Sequence, residues 1–125
     1  MKNLIYVGLG GATGSILRYL VSRLTLRIYP AAGLLTGTLA VNLVGCLLLG
    51  FLVGLAESRD LIGTELRLLL MVGLLGGFTT FSTFGYETFD LARGSDRWVP
   101  FAYVGVSVIV GVMAAWFGDW LGRTV

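Results

Sequence analysis

The sequence predicts an all-α integral membrane protein whose chain crosses the bilayer four times. Hydrophobic residues make up 56% of the 125 residues and charged residues only 13%, against about 25% charged residues in a soluble domain. The charges are gathered in short segments, which leaves four apolar stretches of about 20 residues, the length that spans a hydrocarbon core. Residues 1–125 form one transmembrane domain, because no hydrophilic stretch is long enough to fold separately.

The gaps between charged residues place the four predicted helices. The first apolar stretch begins after Lys2 and contains Arg18. Uninterrupted intervals then run between Arg27 and Glu57, between Arg67 and Glu87, and between Arg97 and Asp119. We therefore expect spans over about residues 4–26, 33–55, 67–88 and 99–120.

Glycine pairs four residues apart recur inside these spans. They are Gly10 and Gly14, Gly50 and Gly54, Gly73 and Gly77, and Gly118 and Gly122. Small residues at this spacing let helix backbones approach closely in lipid, so they predict tight helix packing. Four helices form a thin bundle that can hardly surround a polar path alone, and we therefore expect oligomerisation.

The basic residues indicate no preferred orientation. Four spans place both termini and the middle loop on one side of the membrane. With the embedded Arg18 set aside, that side carries Lys2, Arg59, Arg67 and Arg123, and the other carries Arg23, Arg27, Arg93 and Arg97. Because an excess of Lys and Arg in cytoplasmic loops normally sets orientation, this balance predicts dual topology, unless other features set a single topology. Dual insertion permits an antiparallel homodimer.

The third span contains the sharpest polar motif, Gly-Gly-Phe-Thr-Thr-Phe-Ser-Thr-Phe over residues 76–84. Glycines followed by hydroxyl side chains form helices poorly, which predicts a break at the bilayer midplane; the alternative is an ordinary helix with scattered hydroxyls. Free carbonyls at a break suit a small cation, and hydroxyl donors suit an anion. Phe81 and Phe84 can share a helical face and offer their electropositive ring edges to an anion.

Four further polar positions lie within the apolar spans. Asn42 is deep in the second span, and Tyr103 and Ser107 share one face of the fourth because they are four residues apart. Hydrogen bonds between helices are the structural alternative for these residues. Arg18 can line an aqueous vestibule or extend to the interface.

Several classes of function are excluded by what the sequence lacks. There is no histidine, the single cysteine is Cys46, and all seven acids lie at predicted span ends or in loops. No group of residues could bind a metal through His, Cys and Asp or activate a nucleophile, so we expect no enzymatic activity. The net charge of +2 does not indicate nucleic-acid binding.

Three motifs, at residues 10–18, 37–42 and 76–84, resemble those of the Fluc/CrcB family of fluoride ion channels. The resemblance covers essentially the whole chain, and the third motif is the most specific. Members of this family are small four-helix proteins that insert in both orientations. They assemble as antiparallel homodimers with two pores and export fluoride passively.

The resemblance also implies roles for individual residues. The fluoride pore would contain Phe81, Phe84, Asn42, Thr80, Ser82, Thr83, Tyr103 and Ser107, with Arg18 and Glu87 in the vestibule. The backbone carbonyls of Gly76 and Thr79 would hold a structural sodium ion at the dimer centre. Position 111 is Gly, so no hydroxyl continues the polar track beyond Ser107.

The sequence is therefore interpreted as a fluoride-selective channel in the cell membrane, where it would meet fluoride, the lipid bilayer and a second copy of itself. A small dual-topology multidrug exporter is disfavoured, because its proton coupling needs an acid in the first span and no acid occurs between residues 3 and 56. A membrane assembly subunit that transports nothing would not need Asn42 beside a Thr/Ser/Phe break.

Overall fold

The computed structural model describes residues 1–30, 33–59 and 62–125. The first two long helices are α1 (Lys2–Ile28) and α2 (Gly33–Arg59). The third span is divided into α3 (residues 64–78) and α4 (Phe81–Ala92), and α5 (Val99–Thr124) is the fourth span. In the part of the chain that the structure describes, four helical segments are long and apolar enough to cross a membrane, which confirms the predicted fold class and the multi-pass membrane location.

All four helical spans end a few residues beyond the predicted ends, and the first and third also begin a few residues before the predicted starts. The third span, for example, covers Thr64–Ala92, whereas the sequence predicted about residues 67–88. The predicted bounds stop near the first charge, but Arg and Glu side chains can reach the interface while their backbone remains helical. Charged residues therefore predict the ends of the helices only to within a few residues.

Two pairs of helices are joined through the predicted glycines. A Cβ atom on any of Gly50, Gly54, Gly118 and Gly122 would overlap a backbone oxygen on the facing helix of the α2–α5 pair. The other pair joins α1 to α3, where a Cβ on Gly10 or Gly14 would overlap a carbonyl oxygen of the 64–78 segment. Backbone therefore packs directly on backbone, as the small-residue spacing predicted.

The helix α3 changes its winding along its length. It begins as an α-helix over Thr64–Arg67, becomes a π-helix over Leu68–Leu75 and ends as a short α-helical turn over Gly76–Phe78. A π segment is rare and is frequently found beside functional sites. The leucine-rich sequence of this segment carries no signal for a π-helix, and the sequence did not predict one.

Polar contacts at one end of the bundle link neighbouring helices. Arg123 on α5 forms ion pairs with Glu57 on α2 and with Asp119 one turn earlier on its own helix. Tyr6 on α1 donates a hydrogen bond to Glu65 on α3 at 3.0 Å. All of these contacts are exposed, so they contribute less to stability than the glycine-lined helix packing does.

Candidate functional site

The predicted break in the third span lies at Thr79 and Thr80. Both residues are extended, with φ/ψ of −83°/162° and −152°/119°. The Thr79 hydroxyl donates to the Leu75 carbonyl at 3.0 Å, and the Thr80 hydroxyl accepts from the backbone N–H of Thr83 at 3.3 Å. These bonds cap the two helix ends that meet here, because helix termini leave backbone groups without partners.

The amide of Asn42 bridges the break from α2. Its Nδ2 donates to the Thr80 carbonyl at 3.1 Å, and its Oδ1 accepts from the Thr80 backbone N–H at 2.9 Å. Both backbone groups of an extended residue are thus satisfied inside the bundle, as a membrane environment requires. One of the two amide hydrogens serves this bond, and a primary amide has a second donor.

Three hydroxyl groups are linked at the start of α4. The oxygen of Thr80 lies 3.3 Å from that of Ser82 and 3.0 Å from that of Thr83, and in each pair either oxygen can donate. Thr80 is buried whereas Ser82 is exposed. The cluster therefore extends from the buried break to the surface of the chain, and its hydroxyls can reorient to donate to an anion.

Aromatic rings continue from this cluster along α4 to α5. The centroids of Phe81 and Phe84 are 5.9 Å apart with planes inclined by 47°, and those of Phe84 and Tyr103 are 5.4 Å apart with planes inclined by 39°. Phe81 is 83% exposed, while Phe84 is half-buried. The row of tilted rings thus leads from an open face of the chain to the Tyr103 hydroxyl.

Glu87 is the one predicted site residue whose surroundings differ from those expected. The sequence placed every acid at a span end or in a loop, but Glu87 is buried within α4, at 8% exposure. Its carboxylate accepts from the Thr38 hydroxyl at 2.7 Å and from the Tyr103 hydroxyl at 2.6 Å. The prediction was wrong on this point because α4 continues to Ala92. Nothing in the sequence indicated that Thr38 would bind Glu87.

A cleft of about 380 Å³ brings most of the predicted residues together. Its walls come from α2, α3, α4 and α5, and they include Asn42, Gly76, Thr79, Thr80, Phe81, Phe84 and Ser107. The Ser107 Oγ is buried and has no hydrogen-bond partner among the described residues. Arg18, Ser82, Thr83, Glu87 and Tyr103 do not line this cleft.

Cys46 lies beside Gly111, the position that follows Ser107 along the predicted polar track. A Cβ atom built on Gly111 would lie 3.6 Å from the Cys46 Sγ, and Cys46 itself lines the cleft. The thiol therefore takes the space beside the position where the sequence lacks a hydroxyl. Arg18 lies on α1, partly exposed.

Comparisons with known proteins show which family the chain is similar to. Residues 5–119 match the family described as "CrcB-like protein, Camphor Resistance (CrcB)". The chain is 42% identical to the "Fluoride-specific ion channel FluC" of Methylobacillus flagellatus, over 94% of this chain and 92% of the relative. It is 44% identical to the protein of the same name from Allorhizobium ampelinum, over 98% of each chain. A third such channel, from Nitratidesulfovibrio vulgaris, is 40% identical over the whole of both chains. The chain therefore belongs to the CrcB family.

Proposed function

We propose that this protein is a fluoride-selective channel through which fluoride leaves the cell passively. Relatives named fluoride-specific ion channels match this chain over 94% to 100% of its length. The structural observation that carries the proposal is the cleft at the helix break, where hydroxyl groups, an amide and two phenylalanine rings face one space. Such groups can replace the water around a small anion.

The chemistry of the cleft suits weak, repeated contacts with an anion. No Lys or Arg is among its lining residues, so nothing there would hold fluoride with a full opposite charge. Ring edges carry only partial positive charge, and hydroxyl donors can turn to follow a moving ion. Conduction needs sites that are favourable enough to enter and weak enough to leave.

A complete pathway is proposed to require a second copy of the chain. The cleft is open on one side, and Phe81 at its edge is 83% exposed. The balanced charges described above favour insertion in both orientations. We therefore propose an antiparallel homodimer with two pores, in which each chain closes the open side of its partner's cleft.

Glu87 is proposed to position the polar track at the vestibule end. Its carboxylate holds the Tyr103 hydroxyl and so fixes the ring that packs against Phe84. The bond to Thr38 holds the same carboxylate to α2. Arg18 is proposed to raise the local concentration of anions in the vestibule.

A structural sodium ion is proposed at the centre of the dimer, held by the backbone carbonyls of Gly76 and Thr79. The residues fit this role, because the Thr80 N–H that would meet the Gly76 carbonyl in a continuous helix donates to Asn42 instead. Two chains related by a two-fold axis would supply about four such oxygens, the hard ligands that an alkali cation prefers. The ion would join the two broken helices.

No observation favours the two alternative functions. A proton-coupled exporter would need an acid on α1, and the sequence of that helix contains none. An assembly subunit without transport would not need hydroxyls and rings that converge on a cleft.

Fluoride efflux from liposomes containing the purified protein tests the proposal. Vesicles loaded with potassium fluoride should release fluoride when valinomycin allows potassium to follow, whereas matched vesicles loaded with potassium chloride should retain chloride. Protein-free vesicles give the background. Fluoride release no faster than this background, or equally fast release of both anions, would overturn the proposed function.

A further inference from the structure

The outward face of α1 carries two arginines one turn apart near the end of the helix. Arg23 and Arg27 are both exposed. Together with Leu20 and Leu24 they line a cleft of about 220 Å³ on the surface of the helix. This cleft is separate from the one at the helix break, and the proposed pore uses none of its residues.

The positive charges of this cleft are not neutralised within the described part of the chain. The ion pairs found there all belong to Arg123, so no carboxylate pairs with Arg23 or Arg27. Arg23 donates a hydrogen bond to the Tyr19 hydroxyl at 3.5 Å, and its guanidinium carbon lies 5.8 Å from the centroid of the Tyr19 ring. Tyr19 is neutral, and the two positive charges therefore remain available to an anion.

The surroundings of the cleft place it at the depth of the lipid headgroups. Exposed tyrosines flank the two arginines, namely Tyr19 at 59% and Tyr29 at 62% exposure, and tyrosine is enriched where membrane meets water. Toward the middle of the span, the same face continues as an exposed ridge of Ile16, Leu20 and Leu24. The site thus combines a cationic end with an apolar wall beside the acyl chains.

We propose that this cleft binds an anionic phospholipid of the surrounding bilayer. The phosphate lies between the Arg23 and Arg27 guanidinium groups, whose planar forks match phosphate oxygens, and an acyl chain lies along Leu20 and Leu24. A soluble phosphate would gain nothing from contact with the apolar wall. A zwitterionic headgroup carries a positive charge, which the two arginines repel. The proposal depends on the membrane location of α1 and not on fluoride conduction.

Native mass spectrometry of the purified protein tests this proposal. The protein is titrated in detergent with phosphatidylglycerol or with phosphatidylcholine of the same acyl chains. We expect preferential binding of phosphatidylglycerol, and a loss of affinity of about fivefold for R23Q or R27Q and about twenty-fivefold for the double variant. Glycerol phosphate, which has the anionic group without acyl chains, should not compete at the same concentration.

The matched control is the double variant R93Q/R97Q, which removes the same charge from a loop on the same side of the membrane. It should bind phosphatidylglycerol as the original chain does. Unchanged lipid affinity in R23Q/R27Q, or an equal loss in R93Q/R97Q, would overturn the proposal. So would competition by glycerol phosphate, or a loss of the dimer in R23Q/R27Q with lipid affinity intact, which would make this face a contact between subunits.

Discussion

Individual residues at the helix break both form hydrogen bonds with backbone groups and line the cleft. Asn42 binds both backbone groups of Thr80, and Thr80 in turn caps α4 and contacts two further hydroxyls. A substitution at Asn42 therefore changes the bracing of the break as well as the chemistry of the cleft. The ring of Phe81 does not stabilise the fold of the single chain in this way, because most of its surface is exposed.

Phe81→Ala and Phe84→Ala are each expected to lower fluoride efflux by at least about tenfold, which corresponds to a loss of about 1.4 kcal/mol in the stabilisation of the permeating ion. The reason is the loss of one of the two ring edges at the cleft. Efflux from liposomes is compared with that of Phe81→Leu and Phe84→Leu, which keep apolar volume without an aromatic ring. Near-normal efflux by both alanine variants, with intact dimers, would remove these rings from the pore.

Asn42→Asp is expected to block fluoride at neutral and high pH. An ionised carboxylate 4 Å from a fluoride ion costs about 4 kcal/mol at an effective dielectric of 20. Where the acid is protonated it carries no charge, so efflux should be partly restored as the pH falls. Efflux measured across a pH series shows this directly, and full activity at high pH would place Asn42 outside the pathway.

At the scale of helices, glycine decides which elements pack together. The α2–α5 pair and the α1–α3 pair each approach to backbone contact at glycine positions. Since lipid provides no hydrophobic force between helices, this close approach supplies much of the attraction. The π segment Leu68–Leu75 lies against α1 in the second of these pairs, one short helical turn before the break.

Gly50→Ala and Gly118→Ala are expected to destabilise the protein by about 1–3 kcal/mol each, because the added methyl group must push two helix backbones apart. Gly8→Ala is the matched control, since a Cβ at Gly8 meets nothing within 4 Å. Thermal unfolding in detergent, followed by circular dichroism, should show a lower midpoint for the first two variants only. An unchanged midpoint in both would mean that α2 and α5 are not held this closely.

At the scale of the whole molecule, the helix break lies at an open face of the single chain, where Phe81 is 83% exposed. Gly76 lies on this face, and a Cβ there would meet only the Met71 carbonyl oxygen, at 4.0 Å. The single chain therefore has room for a side chain at this position. Any intolerance of a larger residue must come from what covers the face, which we propose to be a second chain and a shared sodium ion.

Gly76→Val is therefore expected to weaken the dimer and lower fluoride efflux, whereas Thr79→Ser, which keeps the backbone carbonyl, should preserve both. Exhaustive replacement of sodium by N-methylglucamine should likewise reduce dimer stability in size-exclusion chromatography. If the dimer and the efflux are indifferent to both Gly76→Val and sodium removal, the proposed central cation site is wrong.

Dual topology is tested with single cysteines placed in loops of a Cys46→Ala background. A cysteine at Ser95 should be labelled by an impermeant reagent from both sides of the membrane, because basic residues number four on each side. The added changes Arg93→Gln and Arg97→Gln leave two basic residues against four and should favour one orientation. Labelling of Ser95→Cys from one side only, before these changes, would exclude an antiparallel dimer.

The sequence by itself determined the four spans, the glycine-mediated packing and the existence of a break, because each depends on residues that are close together in the chain. Apolar length, glycine spacing and helix propensity are local properties. The tertiary structure alone decided which side chains meet. Asn42 reaches Thr80 across 38 residues, and Thr38 reaches Glu87 across 49. The buried position of Glu87 depends on two other helices that supply hydroxyl donors, because a carboxylate is tolerated in an apolar bundle only where such partners surround it, and no local pattern records that arrangement.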